Sequence, residues 1–404
     1  MWSIPLYIIL IPLTLYLTAS TLYLIFLAVA YFVVREREAP DTPTFNRFAI
    51  LVPAHDEELL ISQLCESLLK INYPVDHFEI FIIADNCGDR TVENAGAFPV
   101  QTLIRNDPSH AGKGYAIDWA LDQIDLQKYG AVFVVDADNT VDGNLLTALN
   151  ASINNGERAI QCYNTIANRS DSWFSEILFV SRTVNNLLYH DAKYKLGLSS
   201  YLTGNGMCFR TDLLREVGWK AFSIGEDWEY YAKLIERRIK VAFAKGAKVF
   251  HQESTSLEQA TSQRLRWSSG RFAVFKNSGL KLFLKGLRNK DWFTMDASLP
   301  LVFPNYSLQV NLTLMTLVCS LILPSGIPKN FIIYSNAGLL ILLLALFGAG
   351  VYLSGRYLQV LKALLRVPLF LLWKSIIDIL SFTGIYKTKR WIRTKRSAPS
   401  RKDG

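Results

Sequence analysis

The chain has 404 residues, of which 50% are hydrophobic and 19% are charged, and its mean hydropathy is +0.17. With 23 Gly and 14 Pro beside this apolar content, the composition excludes a disordered or collagen-like chain. It also fits a wholly soluble protein poorly, because three runs contain no Asp, Glu, Lys or Arg: residues 1–34, 297–328 and 331–355. Each run exceeds the ~20 apolar residues that cross a bilayer core. We therefore expect an integral membrane protein with a large water-exposed middle.

The charge distribution supports this expectation. The chain has 43 Lys and Arg against 35 Asp and Glu, a net charge of +8, and basic residues are concentrated after Arg356, beside the apolar runs. This placement favours positive-inside orientation and contact with anionic membrane lipid over nucleic-acid binding, so no nucleic-acid partner is expected. The five cysteines are scattered without CxxC spacing, which predicts a reduced compartment and no disulfide framework.

The first apolar run, residues 1–34, predicts one long tilted transmembrane helix. A signal peptide is a poorer interpretation, because the run is too long and lacks a basic beginning. Arg35 and Arg37 follow directly. They place the next domain on the cytoplasmic side of the plasma (inner) membrane.

The middle of the chain, residues 45–276, alternates strand-like and helix-like stretches. Apolar, β-rich segments at 48–52, 79–83 and 131–135 each end in acidic or turn residues. Strands joined by helical crossovers predict an α/β domain, a mostly parallel sheet covered on both faces. Ligands of such sheets bind beyond the carboxyl ends of the strands, which is where these acidic residues fall.

Several short motifs carry candidate chemistry in this domain. Asp136 and Asp138 at a strand end could share a divalent cation, although acidic residues at strand ends are also common turn formers. Asp85, at the preceding strand end, could accept a hydrogen bond from a base or ribose, or cap a turn. Lys113, between glycines at the start of a helix, could bind an anion or simply belong to a turn.

Further candidates follow later in the domain. Glu226 and Asp227 precede a helical stretch, where an acidic pair is either an N-cap or a catalytic group. His251 and Glu253 could assist a metal or could be packed side chains. Other candidates are the polar loop residues Gly204 and Asn205, and a basic helix with Gln263, Arg266 and Trp267 close together on its surface.

The C-terminal part predicts further membrane contact. Residues 277–296 suggest an interfacial helix, residues 297–355 a transmembrane hairpin that turns at 324–328, and residues 356–404 a basic amphipathic region. Three crossings result. In the last region Lys374, Asp378 and Ser381 share one helical face, although a fourth crossing at 367–382 is a competing interpretation.

The motifs occur in one order: VPAHDEE (52–58), ADN (84–86), AGKGYA (111–116), VDAD (135–138), TGNG (203–206), GED (225–227) and QRLRW (263–267). This succession resembles membrane-integrated glycosyltransferase family 2, the group that contains cellulose, chitin, hyaluronan and poly-N-acetylglucosamine synthases. The resemblance covers residues 48–275 closely. It implies a Rossmann-like GT-A fold and a nucleotide-diphosphate-sugar donor. Gly225 stands where the family often has Thr.

The resemblance also implies roles for individual residues. Asp227 matches the catalytic base and Glu226 its neighbour, and the remaining residues match binding motifs. They are Pro53 to Glu57 and Asp85 for the nucleotide, Lys113 for the diphosphate, Asp136 and Asp138 for the pyrophosphate through Mg²⁺ or Mn²⁺, and Gly204, Asn205, Gln263, Arg266 and Trp267 for the acceptor and departing diphosphate. Trp391, Arg393 and Thr394 resemble a gating segment, although an ordinary basic tail explains them nearly as well.

The function that these roles imply is inverting transfer of a hexose or N-acetylhexosamine from a UDP-sugar to a growing β-linked polysaccharide, a product whose export calls for partner proteins. The alternative is a glycolipid synthase that adds one sugar to a membrane lipid acceptor. A nucleotide-sensing protein or a transporter is disfavoured, because the metal and base carboxylates are all present.

Overall fold

The computed structural model describes residues 3–35 and 44–384. The strands are β1 (Phe48–Ala54), β2 (Phe78–Asp85), β3 (Gln101–Arg105), β4 (Ala131–Val134), β5 (Asn139–Val141), β6 (Ala159–Ile166), β7 (Met207–Arg210) and β8 (Val241–His251). They form one eight-stranded sheet in the order β3-β2-β1-β4-β7-β6-β8-β5. Neighbours β3, β2, β1 and β4 are parallel, as are β6 and β8, whereas β7 and β5 run antiparallel to their neighbours. The predicted α/β fold with a mostly parallel sheet is confirmed.

Helices of the α/β part cover both faces of this sheet. They are α2 (Ile61–Leu69), α3 (Thr91–Gly96), α4 (Lys113–Gln123), α5 (Leu145–Asn154), α6 (Trp173–Thr183), α7 (Ala192–Lys195), α8 (Thr211–Val217), α9 (Glu226–Glu236) and α10 (Leu257–Val274). Successive residues of β1 point to opposite faces: Phe48 and Ile50 pack with α2 and α5, whereas Ala49 and Leu51 pack with α4 and α9. Both faces of the strand are therefore core, which explains its continuous apolar sequence.

The remaining helices lie before and after the α/β part. They are α1 (Ser3–Val33), α11 (Leu280–Arg288), α12 (Trp292–Val302), α13 (Tyr306–Leu321), α14 (Ile327–Ser354), α15 (Tyr357–Leu364) and α16 (Val367–Thr383). Within the described residues, α1 from Ile4 and α14 are long and apolar enough to cross a membrane, and α13 is a shorter apolar helix. The three pack together, and their buried contacts include Gln309 to Thr21 at 2.5 Å and Asn336 to Thr14 at 3.0 Å.

Two predicted boundaries differ from the structure. The interfacial helix proposed for residues 277–296 is broken after α11, and α12 begins with the Asp291 carboxylate capping the backbone N–H of Thr294. The hairpin proposed for 297–355 starts later, because residues 297–302 complete α12 and pack into the α/β core. Asn305 then caps α13. The N-cap residues Asp291 and Asn305 set the starts of these two helices, and a search for charge-free runs takes no account of capping.

Helix α16 presents its polar face to the protein. Lys374 and Asp378 form an ion pair, and both side chains hydrogen-bond to Ser268 of α10. The Ser381 hydroxyl donates to the backbone carbonyl of Leu265. The opposite face leaves Leu372, Ile376 and other large apolar side chains exposed. The predicted polar face therefore exists, and it lies inward.

An ion pair between α7 and α12, together with a hydrogen bond from α1, connects α1 to the α/β part. Lys193 of α7, whose side chain is 0% exposed, lies 3.0 Å from the Asp296 carboxylate, and the Tyr23 hydroxyl donates to the same carboxylate at 2.6 Å. Removing the cation would leave a carboxylate with its charge uncompensated in a buried site.

We expect Lys193→Ala to lower the free energy of unfolding by about 3 kcal/mol, because one charge of a buried pair is then unpaired. Thermal unfolding of the detergent-solubilised full chain measures the loss. The matched control is Lys220→Ala, since Lys220 is largely exposed and lies 3.9 Å from Asp118. Equal losses of unfolding free energy in the two variants would contradict a stabilising role for the Lys193–Asp296 pair.

Candidate active site

A cavity of about 740 Å³ opens at the carboxyl ends of the parallel strands. It contains nearly every predicted site residue that the structure describes: Pro53, Glu57, Lys113, Asp136, Asp138, Gly204, Asn205, Glu226, Asp227, Gln263, Arg266 and Trp267. The adjacent parallel strands β2, β1 and β4 bring the first motifs to one edge, and the loop before β7 and helices α9 and α10 bring the others. Trp391, Arg393 and Thr394 lie outside the described residues.

Asp85 is the exception, because its side chain is fully buried and is not part of the cavity wall. Its carboxylate lies 2.6 Å from Arg105 and accepts a hydrogen bond from the backbone N–H of Gly112 at 3.4 Å. Asp85 thus ties β2 to the turn that precedes Lys113. The expected contact of Asp85 with the nucleotide stays a prediction.

Lys113 begins α4 and crosses the cavity. Its ammonium lies 2.5 Å from the Asp136 carboxylate and 3.7 Å from that of Glu226, and it donates to the carbonyl of Gly204. Burial alone would lower the pKa of Lys113, but Asp136 and Glu226 raise it above its ordinary value, so the group is a cation. Lys113 is therefore the first residue of a helix and has acidic partners in the cavity, which an ordinary turn residue would not need.

Carboxylates outnumber cations in this part of the cavity. Asp136, Asp138, Glu226 and Asp227 line it together with the cations Lys113 and Arg266. Burial raises the pKa of Asp136, Lys113 lowers it, and Asp138 raises it, with a net upward shift. Negative charge is thus incompletely compensated here, and Asp136 and Asp138 supply hard oxygen ligands of the kind that Mg²⁺ or Mn²⁺ prefers.

Glu226 and Asp227 are the first two residues of α9, and the N-cap position belongs to Gly225, so neither acid is the N-cap. Asp227 lies against the loop at Gly204, where φ is +78° and an added Cβ would stand 3.0 Å from the Asp227 carboxylate. Burial, and then the neighbouring Glu226, raise the pKa of Asp227 to about 8. A carboxylate with such a pKa is well matched to accepting a proton near neutral pH.

The raised pKa predicts a pH dependence. Asp227 accepts a proton only when ionised, so kcat/KM for the donor rises as pH increases through about 8. Glu226→Gln removes the charge that contributes most after burial, and the rising limb moves to lower pH. Glu236→Gln, the same change on the exposed end of α9, leaves the limb in place. An unmoved limb in Glu226→Gln contradicts the assignment.

Four of the five residues of the QRLRW motif on α10 line the cavity, and Leu265 is buried. Gln263, Arg266 and Trp267 line the cavity beside Arg264, whose guanidinium lies 2.7 Å from Glu253 and 4.7 Å from the Trp267 ring centre. Burial would raise the pKa of Glu253, but Arg264 and His251 lower it strongly. Glu253 therefore anchors α10 through Arg264, and its role beside a metal stays a prediction.

Close packing against α10 explains why residue 225 is a glycine. An added Cβ at Gly225 would lie 3.1 Å from the backbone of Gly270 on α10, and one at Gly270 would lie 3.0 Å from the backbone of Gly225. The loop that carries Glu226 and Asp227 thus touches α10 backbone to backbone. A threonine at Gly225 would separate the two.

We expect Gly270→Ala to lower kcat by about tenfold or more, because it moves α10 away from Asp227 by a fraction of an ångström. Donor affinity should change little, since Lys113 and Asp136 lie on other elements. Gly348→Ala on α14 is the control, because an added Cβ there meets nothing within 4 Å. Steady-state kinetics separate the two effects, and an unchanged kcat in Gly270→Ala would contradict the packing argument.

Beyond Asp227 the cavity continues into an apolar region that the motifs did not indicate. Tyr201 stacks on Trp228 at 4.9 Å, and Arg271 lies over the same Trp228 ring while donating to the carbonyls of Pro300 and Phe303. The apolar wall that follows comes from the helices flanking the α/β part and from α6: Ile177, Leu178, Val184, Leu188, Val310, Leu314, Leu340, Leu343, Leu344, Phe347, Val367, Phe370 and Leu371. No sequence motif marks these positions.

Comparison with known proteins defines the class. The family profile described as "Glycosyltransferase like family 2" matches residues 45–270, more than half of the chain. The chain belongs to this family of glycosyltransferases. The match begins where the predicted domain begins and ends within α10.

Individual relatives are more distant. The chain is 24% identical over 239 residues to "Probable glycosyltransferase YdaM" of Bacillus subtilis, covering 57% of this chain and 56% of that protein. It is 26% identical over 230 residues to "Beta-monoglucosyldiacylglycerol synthase" of Trichormus variabilis, covering 55% and 48%. The chain thus spans about half the length of these relatives.

A solved structure shares the fold more broadly. A mannosyltransferase of Pyrobaculum calidifontis, in complex with GDP-Man and Mn²⁺, superposes with a TM-score of 0.58 at 16% identity, over 87% of this chain and 99% of that one. The likeness therefore extends beyond the α/β domain to helices outside the profile match.

Proposed function

We propose that this protein is a membrane-bound, metal-dependent inverting glycosyltransferase that transfers a hexose or N-acetylhexosamine from a UDP-sugar to the hydroxyl of a lipid acceptor. The observation that carries the proposal is the cavity itself. One continuous space joins the carboxylate cluster around Asp227 to an apolar wall formed by α6, α13, α14 and α16. A substrate that fits it has a polar reacting end and an apolar remainder.

The donor occupies the polar end in this proposal. Pro53 and Glu57 line the nucleotide pocket, and the ammonium of Lys113 meets the diphosphate. Asp136 and Asp138 would hold Mg²⁺ or Mn²⁺, and the metal would supply positive charge that offsets the negative charge of the diphosphate as it leaves. A relative of this fold binds GDP-Man with Mn²⁺, so UDP- and GDP-sugars both belong in the test.

The transfer itself requires a base and a stabiliser for the leaving group. Asp227 takes the proton of the acceptor hydroxyl as the oxygen bonds to the anomeric carbon, while the bond from that carbon to the diphosphate breaks. Arg266, near enough to act on Asp136, offsets the charge that develops on the leaving diphosphate. A single displacement inverts the anomeric centre and produces a β-linkage from an α-linked donor.

Two observations favour a lipid acceptor. The cavity wall beyond Arg271 is mostly apolar, with a few polar side chains such as Asn305 and Gln309, and it would bind a growing hydrophilic chain poorly. Three relatives are named beta-monoglucosyldiacylglycerol synthases. A polysaccharide acceptor is the second candidate, favoured by Gln263 and Trp267 on the cavity wall, and export partner proteins would then be needed.

The membrane placement follows from the exposed apolar surfaces. We place α1 and α14 across the plasma (inner) membrane, with α13 as a shorter apolar partner and α16 at its surface. The basic C-terminal region then faces the cytoplasm with the α/β domain.

Product analysis tests the proposal. Membranes that contain the full chain are incubated with labelled UDP- and GDP-sugars, and the label is compared between the lipid extract and high-molecular-weight material. We expect label in the lipid extract with addition of a single sugar. Label only in long polymer would overturn the lipid acceptor and favour the second candidate.

Asp227→Asn tests the base. We expect transfer to fall by about 10²–10⁴-fold, because the proton has no acceptor, while UDP-sugar binding by calorimetry is retained. Asp171→Asn, an exposed change outside the cavity, should leave transfer unaffected. Transfer near the wild-type rate in Asp227→Asn, with binding intact, would remove Asp227 from the mechanism.

A further inference from the structure

Arg182 occupies the cavity wall at the junction between its polar and apolar parts. It lies near the end of α6, whose residues Ile177 and Leu178 line the apolar part, as does Val184 two positions later. On the other side its guanidinium acts electrostatically on Glu253 and Tyr201. Tyr201 in turn stacks on Trp228, the residue after Asp227.

Four of the other basic side chains of the cavity wall have direct partners: Lys113 and Lys374 contact Asp136 and Asp378, Arg264 contacts Glu253, and Arg271 donates to backbone carbonyls. Arg266 and Arg182 have neither a hydrogen bond nor an ion pair with any residue in 3–35 or 44–384. Arg266 acts on Asp136 in the donor region, whereas the carboxylate that acts on Arg182 is Glu253, which Arg264 already pairs. Burial, and then the nearby Arg264, lower the pKa of Arg182, so its surroundings disfavour the charge that it carries.

An unpaired guanidinium at this point has a defined chemical preference. Arginine stays charged in proteins, and its planar donors match the oxygens of a phosphate group in pairs. The acidic residues of the cavity wall, Glu57, Asp136, Asp138, Glu226 and Asp227, belong to the donor and base region. An anion beside Arg182 would therefore meet positive charge on one side and apolar side chains on the other.

We propose that the acceptor carries its hydroxylated head group on a phosphate that Arg182 binds, with an apolar chain in the cavity beyond. This inference rests on the proposed lipid acceptor and names its chemical class. The new bond joins the anomeric carbon to the head-group hydroxyl, the proton passes to Asp227, and the acceptor phosphate is unchanged. A glycerophospholipid and a sugar linked to a polyprenyl diphosphate share this chemistry, whereas diacylglycerol lacks the phosphate.

The test compares acceptors in identical detergent micelles with purified full chain and the donor that supports transfer. The four acceptors are phosphatidylglycerol, a polyprenyl-diphosphate-linked sugar, diacylglycerol and a neutral alkyl glucoside. The wild-type protein should show a kcat/KM at least tenfold higher for one phosphate-bearing acceptor than for both neutral ones. The preferred acceptor identifies which phosphate source is used.

Variants locate the preference. Arg182→Gln should raise KM for the phosphate-bearing acceptor about tenfold with kcat nearly unchanged, as for loss of one charge-assisted contact. Arg182→Lys should retain part of the preference. Arg169→Gln, an exposed arginine shortly before α6 and outside the cavity, should match wild type and control for general attraction to anionic micelles.

The outcomes separate the two proposals. Equal or better use of the neutral acceptors by the wild type overturns the phosphate inference but leaves the lipid-acceptor function standing, and this comparison needs no variant to fold. An equal KM rise in Arg182→Gln and Arg169→Gln also overturns it, because the effect is then one of surface charge. If no lipid is glycosylated and only polymer forms, the proposed function itself fails.

Discussion

The ammonium group of Lys113 holds together chain segments that are far apart in sequence. It contacts Asp136 after β4, the carbonyl of Gly204 before β7 and, more loosely, Glu226 at the start of α9. Without a cation at this point, the carboxylates of Asp136 and Glu226 would repel each other. The four carboxylates of this part of the cavity still outnumber the cations Lys113 and Arg266, so the site retains negative charge that a divalent cation could offset.

Close backbone contact supplies the second constraint. Gly225 and Gly270 let α10 lie directly on the loop that carries Asp227, while Glu253 anchors the same helix through Arg264. Helix α10 in turn receives the polar face of α16 through Ser268. A chain of rigid contacts therefore runs from the base to a helix whose outer face is apolar.

The α/β fold and the membership of the cavity could be predicted from the sequence because strand ends and motif order carry them. Asp136, Lys113 and Asp227 meet as the motifs indicate. Asp85 could not be placed, because its partner Arg105 is a lone residue twenty positions away in the chain, at the end of β3. The helix starts at Trp292 and Tyr306 were missed because local caps outweigh a charge-free pattern. The sequence does not mark Arg182, because its place on the cavity wall depends on how distant segments pack together.

The distribution of polar groups connects the site with a membrane. In a protein surrounded by water, an amphipathic helix turns its polar face outward. Helix α16 does the reverse: Lys374 and Asp378 are buried against α10, while Leu372 and Ile376 are exposed. Residues Leu314, Leu340 and Leu344 likewise belong both to the cavity wall and to α13 and α14, the helices suited to lipid. The inner end of the cavity is therefore made of the same apolar surface that would face a bilayer, and an acceptor with an apolar chain could enter without leaving that environment. A hydrophilic polymer would have to cross it.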